Sequence, residues 1–169
     1  MKKIIVLSDN HGETGILYDV YQQHKDAEAF FHLGDSEFKY DDTELSLFQR
    51  VKGNVDFYPE FPEQQVVTVG HVRIFLTHGH LYNVNSGRQQ LAQAAIAHDA
   101  VIALYGHTHV AKYKQIHDVH VINPGSISQS RSDMEETYAE IVLDAANSRV
   151  NFRNRNHEII DTVTFQIEV

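Results

Sequence analysis

Short apolar runs that end in polar loops set the pattern of this sequence. The first run, Ile4–Leu7, is uninterrupted and rich in β-branched residues, which is typical of a strand buried on both faces. Five later runs end in the same way, mostly beside a glycine: Ala29–Leu33, Val51–Lys52, Val72–Leu76, Val101–Leu104 and Val119–Ile122. A single core would place many of these strand ends on one edge, where ligands bind in open α/β sheets.

Apolar residues at helical spacing predict three helices between the strands. The first has Thr14 as its N-cap, and the third begins near Ser86, a residue type that also favours this position. A second, short helix is predicted over Asp42–Arg50, with Leu45 and Phe48 turned inward. The buried stripes of the first and third helices are Ile16, Leu17, Val20 and Tyr21, and Leu91, Ala94, Ala95 and His98.

Antiparallel pairing is predicted for much of the second half of the chain. The strand pairs are Val66–Val69 with Val72–Leu76, Tyr113–Ile116 with Val119–Ile122, and Tyr138–Leu143 with Val150–Phe152. A last strand alternates apolar and polar residues, with Val163, Phe165, Ile167 and Val169 on its buried face. A βαβ-like front half and a meandering back half are both accommodated by two sheets packed face to face, with helices outside.

Composition favours one enzyme-sized domain over residues 1–169. The 42% hydrophobic content supports a real core, and three prolines with no low-complexity tract leave no linker. No apolar stretch has the length of a signal peptide core or a membrane span. The absence of cysteine fits a cytoplasmic location. A net charge of −9 argues against a nucleic-acid polymer as the partner.

Metal-ligand residue types gather at the predicted strand ends. They are Asp9, His11, Asp35, Asn54, His78, His107 and His109. Seven oxygen and imidazole ligands are too many for one tetrahedral ion but suit two ions that share a carboxylate. Asp35 is the natural bridge, and Asn54 offers a neutral oxygen. A metal-bound water can ionise near neutral pH. The donor set does not select among manganese, iron, cobalt, nickel and zinc.

The order of these motifs resembles that of the calcineurin-like metallophosphoesterases. The motifs are Asp9-x-His11, Gly34-Asp35, Gly53-Asn54, the His78 loop and Gly106-His107-Thr108-His109. The small size, Thr77-His78-Gly79-His80 and Asn123-Pro124-Gly125-Ser126 are similar to its short bacterial and archaeal phosphodiesterase branch, the YfcE-like proteins. The resemblance runs from Ile4 to about Arg131. It is carried by five motifs in family order.

This resemblance implies both a fold and a metal centre. The fold is the α/β (α+β) metallo-dependent phosphatase type, a four-layer αββα sandwich of two mixed β-sheets flanked by helices. The centre holds two divalent ions, with Mn²⁺ expected first and Ni²⁺, Fe²⁺, Co²⁺ or Zn²⁺ as alternatives. Matched by position, one ion is held by Asp9, His11, Asp35 and His109, and the other by Asp35, Asn54, His78 and His107.

One residue departs from the pattern of the larger family members. These carry a histidine directly after the motif asparagine, near the leaving group, whereas this chain has Val55. Valine can neither donate a proton nor bind an anion, so the source of a proton is open. His80 is the nearest candidate by sequence, and a loop or supporting role for it is an equal alternative. Asp56 is expected to be structural or to support a ligand.

Most other histidines are expected to be unrelated to the metal ions. His24, His71, His117, His120 and His157 are predicted to lie on the surface. His32 lies inside an apolar run and is predicted to be a satisfied core histidine, with a bond to Asp35 as an alternative. Asn123–Ser126 is expected to form a wall of the site, and Arg131 is a further candidate for contacting phosphate.

The sequence therefore predicts a metal-dependent phosphodiesterase that acts on a small phosphate ester. A metal-bridging hydroxide would attack phosphorus in line with the leaving oxygen, at a site that includes Asp35, Asn54 and His80. A phosphomonoesterase on the same centre is the alternative within the enzyme class. A non-catalytic module like the retromer scaffold is the alternative outside it. No membrane partner is expected, and a homo-oligomer is left open.

Overall fold

Eleven strands form two mixed sheets in the computed structural model, which describes residues 1–169. The first sheet contains β1 (Lys2–Leu7), β2 (Ala29–His32), β3 (Gln49–Arg50), β9 (Thr137–Leu143), β10 (Ser148–Asn154) and β11 (Ile159–Phe165). Its strand order is β11-β10-β9-β1-β2-β3. The second sheet contains β4 (Gln64–Val69), β5 (Val72–Thr77), β6 (Ile102–Leu104), β7 (Lys112–Ile116) and β8 (Val119–Asn123). Its strand order is β4-β5-β6-β8-β7.

The alternation of side chains along β1 shows how the layers are built. Ile4 and Val6 pack in a cluster of 19 buried residues that draws on both sheets and fills the space between them. Ile5 and Leu7 point to the opposite face, where they pack with the helix α1 (Ile16–Gln23). A third cluster lies between the second sheet and the helix α2 (Gln89–Ala97). The result is the predicted four-layer αββα sandwich.

Three parallel strands in each sheet bring the polar loops together. In the first sheet β1 pairs with β2, and β2 pairs with β3, all in parallel. In the second sheet β5, β6 and β8 are parallel neighbours. The six predicted strands that end in polar loops correspond to these six, although β3 lies just before Val51–Lys52 rather than on it. Their carboxyl ends form one edge of the sandwich.

The predicted helix over Asp42–Arg50 is wrong. A short 3-10 helix covers only Leu45–Leu47, and the chain is already extended at Phe48 before it forms β3. The carboxylate of Asp42 accepts hydrogen bonds from the backbone N–H groups of Glu44 and Leu45 and so caps the single turn. Parallel pairing with β2 then takes Gln49 and Arg50 out of helical geometry.

Both predicted N-caps are also wrong. The helix α1 begins after Gly15, which has a φ of 90°, and α2 begins after Arg88. The carboxylate of Glu44 does the capping of α1 from a distant part of the chain, accepting hydrogen bonds from the N–H groups of Gly15 and Leu17. A negative charge at this end of a helix is stabilising, and local sequence offers no sign of a partner 29 residues away.

All three predicted strand pairs are confirmed. The turns at Gly70-His71 and His117-Asp118 each connect two antiparallel strands. The final strand is a partial exception, because β11 ends at Phe165 and Ile167 and Val169 lie beyond it. Neither α1 nor α2 has the length and apolar character that a bilayer span requires.

Candidate metal centre

Side chains from four strand ends meet at the edge of the sandwich. Asp9 and His11 follow β1, Asp35 follows β2, His78 follows β5 and His109 follows β6. Their donor atoms form two groups with geometry suited to a metal ion, Asp9 with His11 and His109, and Asp9 with Asp35 and His78. The two sheets therefore contribute jointly to one cluster.

Asp9 lies at the middle of this cluster. Its Oδ1 atom is 3.3 Å from His109 Nε2, 3.6 Å from His11 Nε2 and 3.8 Å from His78 Nε2. Asp9 and His78 are fully buried, yet Asp9 Oδ1 and His78 Nε2 have no hydrogen-bond partner. Buried polar atoms are nearly always paired, so these two atoms mark a place where a positive ligand belongs.

The other ring nitrogens explain why the three imidazoles all present lone pairs inward. The Nδ1 atom of His78 donates to the carbonyl of Leu33 at 2.7 Å, and that of His109 donates to the carbonyl of Gln129 at 2.7 Å. The Nδ1 atom of His11 is 2.9 Å from the Glu37 carboxylate. A neutral imidazole that donates from Nδ1 has a lone pair on Nε2. The lone pairs thus converge on Asp9.

This arrangement fits a divalent metal ion. His11 Nε2 and His109 Nε2 are only 3.2 Å apart, so two lone pairs would face each other unless a proton or a metal ion lies between the rings. Ligands of an ion at bond lengths of about 2.0–2.2 Å are separated by about 3–3.5 Å. The distances of 3.3 Å from Asp9 Oδ1 to His109 Nε2 and 3.2 Å between His11 and His109 match this range, and those from Asp9 Oδ1 to His11 and His78 are slightly longer. The donors are imidazole nitrogens and carboxylate oxygens, which suit several divalent first-row metals.

The pKa values of the cluster follow from the same contacts. Burial raises the pKa of Asp9, but the neighbouring imidazoles of His109 and His11 outweigh it and hold the pKa well below its usual range. The neighbouring Asp9 carboxylate raises the pKa of His11 to about 9. Burial lowers the pKa of His78, and the neighbouring Asp35 overcomes this and raises it. Without metal, protons bound to the imidazoles supply the positive charge that stabilises the carboxylates.

The remaining predicted ligands lie beside Asp35. Its Oδ2 atom is 3.1 Å from His78 Nε2 and 4.0 Å from His11 Nε2. Asp35 therefore belongs to the second group and approaches a ligand of the first, whereas Asp9 is common to both groups. Asn54 Oδ1 is 3.0 Å from His107 Nδ1. The backbone N–H of His107 in turn lies 3.3 Å from Asp9 Oδ2. All seven residues predicted as ligands are therefore brought to one place.

The sequence singled out only one of the residues that hold these ligands in position, Asp56. The carboxylate of Asp56 accepts hydrogen bonds from the N–H groups of Asp35, Gly53 and Glu37, which confirms its predicted supporting role. Glu37 and Gln129 were not predicted. Glu37 acts through its side chain, but Gln129 acts through its carbonyl oxygen, which any residue could provide.

Backbone conformation at the ligands is unusual. Asp9, His11, Asp35, His107 and His109 all have φ between 44° and 70°. Residues other than glycine rarely adopt this backbone region, and each residue held there costs about 1–3 kcal/mol of conformational strain. Surrounding structure must hold these conformations, and clusters of such residues are typical of functional sites.

Two glycines are required by the close approach of ligands. A Cβ atom at Gly53 would lie 2.0 Å from Asp35 Oδ1 and 2.3 Å from the Asp35 backbone nitrogen. A Cβ atom at Gly106 would lie 2.2 Å from Ser8 Oγ and 2.7 Å from Asp9 Oδ2. Both glycines therefore leave room for the carboxylates of the centre.

His80 lies next to the ligands without being one of them. Its ring centroid is 5.5 Å from that of His78 and 6.2 Å from that of His107. Burial, aided by the charge on His78, lowers its pKa. The Nδ1 atom is buried and has no partner. A proton there would have no acceptor, which favours the tautomer with its proton on Nε2.

The predictions for the other histidines are partly wrong. His24 and His120 are buried rather than exposed, at 3% and 4% relative exposure. Each is bonded to a tyrosine, His24 to Tyr138 at 2.6 Å and His120 to Tyr113 at 2.7 Å. Tyrosine partners from other strands satisfy both rings, and these contacts cannot be seen in the local pattern. His71 and His117 are exposed as predicted, and His157 is partly buried.

His32 is a satisfied core histidine, as predicted. Its Nε2 atom bonds Asn10 Oδ1 at 2.8 Å, and its Nδ1 atom accepts from the N–H of Gly34 at 3.0 Å. The alternative bond to Asp35 is therefore not formed. Asn10 lies between the ligands Asp9 and His11, so His32 supports the first loop of the centre rather than the bridging position.

The segment Asn123–Ser126 lies directly behind the ligand loops. Asn123 Nδ2 donates to the carbonyl of Gly106 and to Thr108 Oγ1, and Ser126 Oγ donates to the carbonyl of Asp9. It is therefore a buried support for the centre. Arg131 has an exposed side chain, and its backbone N–H donates to the carbonyl of His109.

Comparison with known proteins defines the family. Residues 1–146 match the model of the calcineurin-like phosphoesterase superfamily domain. The chain belongs to this family, whose members are metal-dependent. Over 160 residues it is 31% identical to the probable metallophosphoesterase YsnB of Bacillus subtilis (strain 168), covering 94% of this chain and 95% of the relative. The resemblance inferred from the motifs is confirmed.

Solved structures agree with this assignment. A conserved uncharacterised protein from Streptococcus pneumoniae TIGR4, a predicted phosphoesterase, is 38% identical with a TM-score of 0.93, and the match covers 98% of both chains. Two others share the fold. The phosphoesterase Yfce from E. coli is 21% identical with a TM-score of 0.70, over 95% of this chain and 98% of its own. Vacuolar protein sorting 29 from Cryptosporidium parvum is 18% identical with a TM-score of 0.80, over 98% of both.

Proposed function

We propose that this chain is a phosphodiesterase with a dinuclear metal centre. The observation that carries the proposal is the convergence of three imidazole lone pairs on the buried, unpartnered Oδ1 atom of Asp9, with Asp35, Asn54 and His107 alongside. Seven such ligands exceed what one ion requires. A scaffold would have no use for a costly cluster of buried acceptors and left-handed ligand residues.

Each ion has its own set of ligands in this proposal. Asp9, His11 and His109 hold one ion, and Asn54, His78 and His107 hold the other. Asp35 contributes to both, because its Oδ2 atom lies within reach of His78 on one side and His11 on the other. When bound, the ions supply activated water at neutral pH and neutralise charge on the phosphoryl oxygens.

The chain's own residues shape the rest of the reaction. The His80 ring lies beside the second ligand set, and we assign it to proton delivery at the leaving oxygen. Because burial lowers its pKa, the donor would be the imidazolium form, which is populated as the pH falls. Val55 follows Asn54 and adds neither charge nor a donor through its side chain. Its backbone N–H instead donates to Asp35 Oδ1 at 3.0 Å and fixes the carboxylate between the two ligand sets.

A diester is favoured over a monoester by the charge at this edge. A phosphodiester carries one negative charge, whereas a monoester near neutral pH carries up to two. The chain is acidic overall, with a net charge of −9, and Val55 provides no positive group at the position after the metal ligand. The smaller charge of a diester therefore matches the site better.

The experiment is a turnover comparison on the metal-reconstituted protein. Bis(p-nitrophenyl) phosphate and p-nitrophenyl phosphate release the same leaving group from a diester and a monoester. We expect a higher kcat/KM for the diester and loss of both activities in Asp35→Asn. A higher kcat/KM for the monoester would make the chain a phosphomonoesterase. Absence of turnover with every metal tried would favour a scaffold.

Other properties remain predictions from the sequence. Mn²⁺ is the first metal to test, followed by Ni²⁺, Fe²⁺, Co²⁺ and Zn²⁺, because imidazole and carboxylate ligands suit all of them. We also propose one metallophosphoesterase domain over residues 1–169, a cytoplasmic location and a small phosphate ester as substrate.

A further inference from the structure

A two-armed ion pair joins loops on either side of the first ligand set. Arg155 lies just after β10, beyond the residues that match the family model. Its Nη1 and Nη2 atoms donate to Glu13 Oε1 and Oε2 at 2.8 and 2.5 Å. The two residues are 142 positions apart in the chain. A guanidinium that contacts both oxygens of a carboxylate fixes its orientation as well as its charge.

On one side, the ion pair controls the loop that carries Asp9 and His11. The backbone N–H of Glu13 donates to the carbonyl of Asn10 at 2.9 Å, and Asn10 Nδ2 donates back to the carbonyl of Glu13 at 3.1 Å. Residues 10–13 therefore form one closed turn with His11 inside it. Holding the Glu13 side chain fixes where this turn lies.

On the other side, the ion pair controls the loop that orients His109. Arg155 Nη1 also donates to the carbonyl of Ile127 at 2.7 Å, and Ser128 Oγ donates to Glu13 Oε1 at 2.6 Å. The next residue, Gln129, has the carbonyl that accepts from His109 Nδ1. This bond fixes which nitrogen of His109 carries the lone pair.

We propose that Arg155 is a positioning residue for one of the two metal ions, the ion assigned to Asp9, His11 and His109. The inference rests on the proposed dinuclear centre. Through Glu13, Arg155 reaches the turn that carries His11, and through Ile127 it reaches the loop whose Gln129 carbonyl accepts from His109. None of its hydrogen bonds or ion pairs reaches Asn54, His78 or His107. Its effect should therefore be confined to one ion.

The effect of the Glu13–Arg155 ion pair on metal binding does not come from its own contribution to stability. Glu13 and Arg155 are each more than a third exposed, and such pairs contribute little to folding. Their effect is geometric instead, because they fix the acceptor and the loop that orient the ligating imidazoles. Removing residues that orient metal ligands typically costs about 10–100-fold in metal affinity.

The test is calorimetric titration of metal-stripped protein with Mn²⁺. In Arg155→Met we expect one of the two binding events to weaken by about 10–100-fold, with the other unchanged. Arg153→Met is the matched control. Arg153 lies on β10, pairs with the more buried Glu140 at 3.0 Å and bonds the carbonyl of His157. The control variant therefore removes an arginine–glutamate pair without touching either loop. It should bind both ions as the wild type does.

A second variant separates positioning from general loss of structure. Glu13→Gln should weaken the same binding event, and the double variant Glu13→Gln/Arg155→Met should be no worse than either single variant. The thermal melting of the metal-stripped Arg155→Met protein should match that of the metal-stripped wild type, because the exposed pair contributes little to folding.

Two results would overturn the inference. One is equal binding of both ions by Arg155→Met and the wild type, and the other is equal weakening of both ions in the variant. A wild-type protein that binds fewer than two ions would instead refute the dinuclear centre, and this inference would fall with it.

Discussion

Asp9 and His78 come from different sheets, and their side chains meet at the centre of the site with Asp9 Oδ1 3.8 Å from His78 Nε2. Both atoms are buried and neither has a hydrogen-bond partner. A carboxylate and an imidazole lone pair held this way are costly to fold. The metal ions of this family supply the missing positive charge, so folding and metal binding should be coupled.

Removal of metal should destabilise the protein. Metal that binds only the folded state, at about 100 times its dissociation constant, adds about 2.7 kcal/mol to the free energy of unfolding. Chelation should therefore lower the melting temperature by several degrees, because about 1 kcal/mol corresponds to about 2–4 °C in a domain of this size. Calorimetric melting with and without EDTA checks this. An unchanged melting curve would exclude tight binding to the folded state.

Gly53→Ala should weaken metal binding more than it weakens the fold. The new Cβ would lie 2.0 Å from Asp35 Oδ1 and 2.3 Å from the Asp35 backbone nitrogen, so the Asp35 carboxylate must shift from its present position. We expect metal affinity to fall by at least about 10-fold. Gly15→Ala is the matched control, because Gly15 has a φ of 90° but open space around its Cβ position. It should lower stability without changing metal affinity. Equal affinities for the two variants would contradict the steric argument.

Stability should fall in mild acid because of His24. Burial, followed by the charge on Lys3, lowers the pKa of His24 to about 4. An unfolded histidine has its ordinary pKa of about 6.5. Between these values the unfolded chain binds a proton that the folded chain does not, so stability is full above about pH 6.5 and is lost as pH falls toward 4.

His24→Gln should reduce this pH dependence without abolishing it, because burial also lowers the pKa of His32 to about 4. Each unit of pKa difference is worth about 1.4 kcal/mol, so His24 accounts for about 2–3 kcal/mol between pH 7 and pH 4. Urea unfolding of the metal-stripped variant should show a shallower pH dependence than that of the wild type. The exposed His71 serves as a control, because His71→Gln should retain the wild-type slope. A wild-type slope in His24→Gln would assign the effect to other groups.

His80 should matter most for poor leaving groups. If His80 Nε2 delivers a proton to the departing oxygen, its removal should cost about 10²–10⁴-fold on alkyl diesters and much less on nitrophenyl ones. Steady-state kinetics of His80→Ala over diesters with a range of leaving-group pKa values provides the measurement. Equal losses on good and poor leaving groups would make His80 a positioning residue instead.

Strand ends were predictable from the sequence because they depend on local pattern. The β-branched run Ile4–Leu7 forms a strand buried on both faces, and the residues that follow it must leave the sheet at its carboxyl edge. The same logic placed Asp35 and His78. The residues that meet at the carboxyl edge of the sheets are therefore those that directly follow the apolar runs in the sequence.

The supports of the site were not predictable in the same way. Glu44 caps α1 from 29 residues away, and Arg155 reaches Glu13 across 142 residues. Gln129 acts through its backbone carbonyl, and because every residue type has this group, the sequence does not reveal its role. Left-handed backbone at His107 and His109 is likewise imposed by surrounding structure. These features depend on tertiary contacts, whereas sequence patterns report mainly local ones.

The most direct test of the proposal that this chain is a dinuclear phosphodiesterase is turnover measured against metal content. Metal-stripped protein receives increasing equivalents of Mn²⁺, and bound metal and hydrolysis of bis(p-nitrophenyl) phosphate are measured in the same samples. We predict two bound ions, activity that rises with the second, and a kcat lowered by more than about 100-fold in Asp35→Asn. Full activity with one ion bound, or two bound ions and near-normal turnover in Asp35→Asn, would contradict the account.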